Sequence, residues 1–472
     1  MKKSIVALSA GLIAGALVFS LAGCGIFNFV DPDSNFPYDV ATERGYDGSE
    51  ESWLASLDTP STYERRLYEE ARKNDGYKGS FADFLREIGA ADRDDTAGVQ
   101  SALRSAVSVD CRFNTFSNGR PSASLTMGAG VIYSLDEGGN AYVITNYHVV
   151  YNIDSIGNET VSHVSDVITL HLYGSGYKGD GRITSQSLAA TYLGGSMDYD
   201  VAVLQVKGST VVTDDDGNRH TNLDVLKGSG AKELVGADSD SATVGQRVYA
   251  IGNADGKGLS SCGGVVSVDA EYITIKTSDE KRTVSMLEMR TDAAVNHGNS
   301  GGGLFTAEGK MIGLVNARSE GDGVVAFGYA IPANLALSVA QNIIDNSARG
   351  FKGACRATMG VSLSSYDSKG VYDEMTSKYY IEEKVIVASI GDFRGPGYRA
   401  GLRAGDTVGF AEIVRNGEVA RTVEVTRRHK LTNLLFELRL GDTLRLTVTR
   451  AGSIQPLEID VTFSAEDFTL FD

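Results

Sequence analysis

The sequence is sparing in the features that mark several protein classes. It has only four cysteines in 472 residues, and their spacings match no zinc site. It has no low-complexity tract and no basic patch interleaved with aromatics. A formal net charge of −17 speaks against a nucleic-acid partner and describes a soluble, self-repelling surface. Only one apolar run is long enough to engage a bilayer, and it stands at the very start. What remains is globular in composition, with 42% hydrophobic and 22% charged residues. The chain is too long for one core, so two or three domains are expected. No metal and no organic cofactor is indicated.

Residues 1–23 read as a secretory signal: Lys2 and Lys3 precede an apolar stretch from Ile5 to Leu21, followed by small residues. An uncleaved membrane anchor is the alternative. Leu21-Ala22-Gly23-Cys24 resembles the bacterial lipobox, which implies cleavage before Cys24 and a lipid on it. More than one acyl chain holds a protein on a bilayer far better than a single one. The mature protein is therefore expected outside the cytoplasm, lipid-anchored to the bacterial cell membrane. Three cysteines are left, Cys111, Cys262 and Cys355. They cannot all pair within one chain, and which two would form a bridge is open.

Residues 24–98 carry a short repeat with an offset of 31 residues, matching Gly45/Gly76, Tyr46/Tyr77, Gly48/Gly79, Ser49/Ser80, Trp53/Phe84, Leu54/Leu85 and Leu57/Ile88. In each copy a serine suited to N-cap a helix precedes an apolar stripe. A small helical spacer is expected, closed by the acidic linker "AADRDDTAG" (90–98). From 99 to 348, short β-rich runs alternate with glycine- and aspartate-rich turns, which points to an all-β barrel or sandwich. Residues 151–166 and 208–243 read as surface loops, and 331–348 as a helix. From 350 to 464 the pattern is that of a compact α+β module with a helix-like "LTNLLFELR".

Three stretches carry chemistry. "YVITNYHVV" puts His148 at the end of an apolar strand, "DYDVAVLQV" puts Asp200 directly before another, and "NHGNSGGGLF" sets Ser300 among glycines. A serine hydroxyl is a poor nucleophile until a base takes its proton. Imidazole suits that task near neutral pH, and a buried carboxylate fixes its tautomer. The oxyanion that follows needs donors, which the backbone N–H groups of Gly298 and Ser300 can supply. Gly298 lacks a Cβ and so reaches backbone angles that turn its N–H inward. The glycines thus shape an anion-binding turn around a nucleophile.

"RTDAAVNHGNSGGGLF", with "GKMIGLVNA", "VGQRVYAIGNADG", "GGVVSV" and "FGYAIPANLA", resembles the HtrA (Deg) family of chymotrypsin-fold serine proteases, and the terminal module resembles the PDZ domain that follows the protease there. The resemblance spans about residues 100 to 462 and implies a mainly β chain with a double six-stranded β-barrel. It implies His148 as general base, Asp200 rather than Asp198 as its orienter, and Ser300 as nucleophile. Ala294 takes the position at the base of the primary pocket, which implies cleavage after small or medium apolar residues. In the terminal module, Met359, Gly360 and Val361 match the loop that receives a peptide carboxylate, with an extended ligand added as a strand. The implied activity is a serine endopeptidase acting on unfolded or exposed segments of proteins. The alternative is a peptide-binding sensor with latent or vestigial proteolysis. Polypeptides are the expected partners; the family commonly forms trimers, and the oligomeric state here stays open. The chain departs from the family pattern at His297 and Gly303, each in the place of a usual proline. Both changes free the backbone, so Gly303→Pro is expected to tighten the turn and raise turnover.

Overall fold

The computed structural model describes residues 95–117, 120–156, 163–318, 327–374 and 378–471, together with Tyr68, Ala71 to Lys73 and Lys78. The chain divides into a unit over 1–94 and a unit over 95–472. The signal segment, Cys24 and nearly all of the repeat lie outside the described residues. The second unit begins within the stretch read as a linker. Asp95 is buried at the start of α1 (Thr96–Leu103), where its carboxylate accepts from the Tyr249 hydroxyl at 2.7 Å and from Arg247 at 3.1 Å.

Six strands close the first barrel: β1 (Ala106–Ser117), β2 (Arg120–Leu135), β3 (Ala141–Thr145), β4 (Val167–Leu172), β5 (Ser187–Ser196) and β6 (Val201–Val206), in the order β1-β2-β3-β6-β5-β4. The single turn α2 (Tyr147–Val150) follows β3. β6 shows why its sequence runs apolar without alternation. Ala202 and Leu204 fill the barrel, while Val201 and Val203 pack outward into a second buried cluster with Ile251, Phe305 and Leu335. Burying one such side chain contributes about 1.5–3 kcal/mol.

The stretch 208–243 is more structured than a loop. It holds the hairpin β7 (Val211–Thr213) and β8 (Arg219–Thr221) and the helix α3 (Asn222–Leu226), which Thr221 and Asp224 cap reciprocally. Fully buried Asn222 bonds the backbone of Ala189 and Lys207, so the segment is sewn to β5 by polar contacts. Strands of three residues are too short to show a period.

The second barrel is β9 (Arg247–Gly252), β10 (Ser260–Lys276), β11 (Thr283–Thr291), β12 (Gly303–Thr306), β13 (Met311–Arg318) and β14 (Gly328–Pro332), in the order β10-β11-β14-β13-β12-β9. The double six-stranded barrel implied by the resemblance is thus observed. After Pro332 the helix α4 (Ala333–Ser347) buries Leu335, Ala336, Val339, Ala340 and Ile343 along one face, as its period predicts.

The terminal module contains β15 (Ala354–Ala357), β16 (Val361–Asp373), β17 (Lys378–Ile390), α5 (Pro396–Ala400), β18 (Thr407–Arg415), β19 (Glu418–Glu424), α6 (Arg428–Leu434), β20 (Thr443–Thr449), β21 (Leu457–Thr462) and β22 (Phe468–Phe471). Its main sheet runs β16-β17-β18-β20-β21, which leaves β16 at an edge. β22 pairs with β15, so the fold continues past residue 464. Asn342 of α4 staples the module to the barrels, bonding Cys355 through both backbone groups at 2.7 Å and the Phe436 carbonyl at 2.8 Å. Cys111, Cys262 and Cys355 are all free thiols.

Candidate active site

β3 ends at Thr145, and the turn α2 that follows carries His148. Tyr147, Val149 and Val150 are buried and anchor the turn, while the His148 side chain is 39% exposed. Asp200 lies 5% exposed just before β6, in a left-handed conformation with φ of 47°. Its Oδ2 stands 2.7 Å from His148 Nδ1 and its Oδ1 accepts the His148 backbone N–H at 2.9 Å. Asn146 Nδ2 donates to the Asp200 carbonyl at 2.9 Å, closing the pair from behind. Asp198 is turned away, with its carboxylate 2.9 Å from Arg282. Burial alone would pull the His148 pKa down, but the Asp200 charge and hydrogen bond outweigh it and raise the pKa above 6.5.

Ser300 comes from the turn before β12. The turn is pressed against β3: a Cβ on Gly301 would fall 2.2 Å from both the Ala129 carbonyl and Thr145 Oγ1. Ala129 N–H donates to the Ser300 carbonyl at 2.8 Å. The Ser300 hydroxyl itself donates to the Asn316 carbonyl at 3.0 Å, and among the described residues no hydrogen bond joins it to His148. Asp200 and His148 are therefore joined, while the Ser300 hydroxyl proton is directed elsewhere.

The turn around Gly298 is built by its carbonyls. Asp255 N–H donates to the His297 carbonyl at 2.7 Å and Asn253 N–H to the Gly298 carbonyl at 3.2 Å. In a trans peptide the N–H points opposite to the C=O, so fixing the His297 carbonyl aims the Gly298 N–H away from the 253–255 turn. Among the described residues neither the Gly298 nor the Ser300 N–H has an acceptor. Gly298 has φ of 91°, and a Cβ there would fall 2.1 Å from the Asn253 carbonyl. Both conditions require glycine.

Gly303 corrects the sequence expectation. It lies in β12, paired with Ile251 and Leu314, and a Cβ there would meet the fully buried Phe305 ring at 2.3 Å. Proline would overpack that ring, so Gly303→Pro is expected to destabilise by about 1–3 kcal/mol. A thermal melt reads this as a drop of several degrees; a rise in both melting temperature and turnover would contradict it.

Ala294 is exposed on the segment before the turn, and its carbonyl accepts from Asn299 Nδ2 at 3.4 Å. Asp292 is engaged by the Val265 N–H at 2.6 Å. In the terminal module Gly360 has φ of 71° and its carbonyl accepts from Gly391 and Asp392. The N–H groups of Met359 and Gly360 have no acceptor among the described residues. Val361 begins the edge strand β16. No cluster of metal-ligating side chains occurs among the described residues.

Sequence reasoning missed two partners of the site. Tyr199, immediately before Asp200, receives a hydrogen bond from Arg356, whose guanidinium lies 5.7 Å from the Phe436 ring and 4.8 Å from the Phe471 ring. The segment that carries Asp200 is thereby tied to β22. The other is Asn316, which receives the Ser300 hydroxyl. Only its position in "GLVNA", just after an apolar strand run, hinted at it.

A family model described as "Trypsin-like peptidase domain" matches residues 128–314. The chain is 29% identical over 350 residues to "Serine protease Do-like HtrA" of Lactococcus lactis subsp. cremoris (strain MG1363), covering 72% of each chain. It is 27% identical over 341 residues to "Periplasmic pH-dependent serine endoprotease DegQ" of Escherichia coli (strain K12), covering 71% of this chain and 59% of that one. Among solved structures, "HtrA-type protease AlgW with decapeptide" aligns over 80% of this chain and 98% of its own, at 22% identity and a TM-score of 0.44. That score is too low to bear on the fold, which rests on the two barrels.

Proposed function

This chain is a serine endopeptidase of the HtrA/Deg family, and from that premise we propose that His148, Asp200 and Ser300 act together to cleave unfolded or exposed segments of extracytoplasmic proteins. The observation that carries the reading is the Asp200–His148 pair, with Ser300 on a turn pressed against the end of the strand that leads to His148 and the Gly298 and Ser300 amides there without acceptors among the described residues. Ser300 attacks the scissile carbonyl as its proton passes to His148 Nε2. Asp200, bonded to Nδ1, holds that tautomer and stabilises the imidazolium. The Gly298 and Ser300 N–H groups take the oxyanion, and His148 returns the proton to the leaving amine. Water then repeats the sequence on the acyl-enzyme.

The Gly298 donor has a testable worth. Gly298→Ala displaces the amide, because neither its φ nor the Asn253 carbonyl tolerates a Cβ. A fall in kcat of about 10²–10³ is expected, measured on a denatured dye-labelled protein; unchanged kcat would remove Gly298 from the oxyanion site.

The finer reading concerns recognition and place. Ala294, with no acid at the pocket base, favours cleavage after small or medium apolar side chains. In the terminal module, read as a PDZ domain over 350–464, the N–H groups around Met359, Gly360 and Val361 would receive a peptide carboxylate, and β16 would accept the peptide as an added strand. Residues 24–98 would act as a spacer from a lipid on Cys24, holding a quality-control protease at the membrane. Digesting a denatured protein and mapping the cut sites by mass spectrometry tests this: cuts follow apolar residues, and a pattern dominated by arginine or lysine would refute the pocket assignment.

A further inference from the structure

A triad leaves one nearby carboxyl unused. Glu288 lies fully buried on β11 among Met286, Leu287 and Met289. Its Oε1 accepts from Asn316 Nδ2 at 2.6 Å, and its Oε2 has no hydrogen-bond partner among the described residues. Asn316 Nδ2 also lies 3.4 Å from the Met286 sulfur. The carbonyl of this same asparagine receives the Ser300 hydroxyl at 3.0 Å. Glu288, Asn316 and Ser300 therefore stand in series, from a buried acid to the nucleophile.

The backbone makes the series consequential. β13 pairs with β14 at Val315–Ala330 and resumes at Ala317–Tyr329, so Asn316 is the extra residue of a bulge. A bulged residue drops out of the ladder, and bulges near active sites re-aim the groups they carry. On the other flank, the turn after Ser300 is joined to β13 through Val315, which bonds Gly301 and Gly302. The Asn316 carbonyl is free to face Ser300 because the ladder does not claim it. What holds the residue is its side chain, on Glu288.

The surroundings of Glu288 bear on that task. Burial pushes the Glu288 carboxyl well above the usual carboxylate range; the Asn316 bond offsets this only in part, and the Asp200 charge adds to it. Glu271 stands across from Glu288 on β10 and pairs with Arg290. Oε1 serves as acceptor for the Asn316 amide whether the carboxyl is charged or neutral.

We infer that Glu288 is a positioning residue for peptide cleavage: its bond to the Asn316 side chain fixes the bulged carbonyl that sets where the Ser300 hydroxyl lies. The inference rests on Ser300 being the nucleophile. Without the acceptor, the buried amide of Asn316 is stranded and turns to find another partner. Its carbonyl moves with it.

Two substitutions separate positioning from mere packing. Glu288→Met keeps the volume and loses the acceptor; Glu288→Gln keeps an acceptor oxygen of the same reach. The rate at which a fluorophosphonate acylates Ser300, and kcat on a dye-labelled unfolded protein, fall about 10–100-fold in E288M, with KM nearly unchanged. E288Q recovers most of both rates. A labelled parent with E288M as fast as itself, or E288Q as slow as E288M, overturns the inference alone. A parent that takes no label at Ser300 defeats the nucleophile reading and this inference with it. If E288M does not melt cooperatively, Asn316→Leu removes the same bond from the other end and carries the same expectation.

Discussion

Replacing Ser300 with alanine lowers turnover of an unfolded protein substrate by about six orders of magnitude. The fold survives, because the Ser300 hydroxyl makes one hydrogen bond, to the Asn316 carbonyl, and no part of the core depends on it. The effect is large because nucleophile and base act as a unit, so losing either discards the whole covalent route. Residual hydrolysis would come from the amides of Gly298 and residue 300 acting on bound substrate. The size of the loss also separates the two functional readings. In a latent sensor the parent already turns over slowly and alanine changes little; in an active protease the difference spans the full range. Equal rates in parent and variant, with both folded by thermal melt, would remove Ser300 from the reaction.

The second large effect belongs to Asp200. Asp200→Asn lowers kcat by about four orders of magnitude, since an amide facing Nδ1 no longer enforces the tautomer that leaves Nε2 free. A pH signature accompanies it. In the parent, Asp200 raises the His148 pKa above 6.5 against the pull of burial. Only neutral His148 can accept the Ser300 proton, so activity is full above that raised pKa and lost as pH falls through it. Removing the Asp200 charge takes away the upward push and leaves burial, so the acid limb of kcat/KM moves to lower pH while the plateau drops. An acid limb at the same pH in parent and D200N would mean that another group controls it.

The residues proposed to do the chemistry are legible because each sits at a strand boundary with a local signature. His148 follows an apolar strand, Asp200 precedes one, and Ser300 is enclosed by glycines whose need is visible in φ at Gly298. The barrels were legible as runs of β-rich segments, although their closure came from the family resemblance and not from the pattern. What stayed hidden depends on distant pairs. Asp95 looks like linker in the sequence, since nothing local shows that Tyr249 will claim its carboxylate. Gly303 looks like a loosened proline position in the sequence, because the Phe305 ring that forbids a Cβ becomes its neighbour only in the folded strand. Arg356 and Tyr199 are 157 positions apart, and no period links them. Glu288 left one trace, an acid inside the apolar run "MLEM". A lone charge at a core position is costly unless it is neutral or bonded, which is a reason to ask what it holds.

The measurement closest to the central claim is covalent capture at neutral pH. The intact protein is exposed to a fluorophosphonate and the adduct is located by mass spectrometry. The account predicts a single adduct on the peptide containing Ser300, formed more slowly as the pH falls through the raised His148 pKa and lost in Ser300→Ala. A folded protein that takes no label at Ser300, or takes it equally well at every pH, would contradict it.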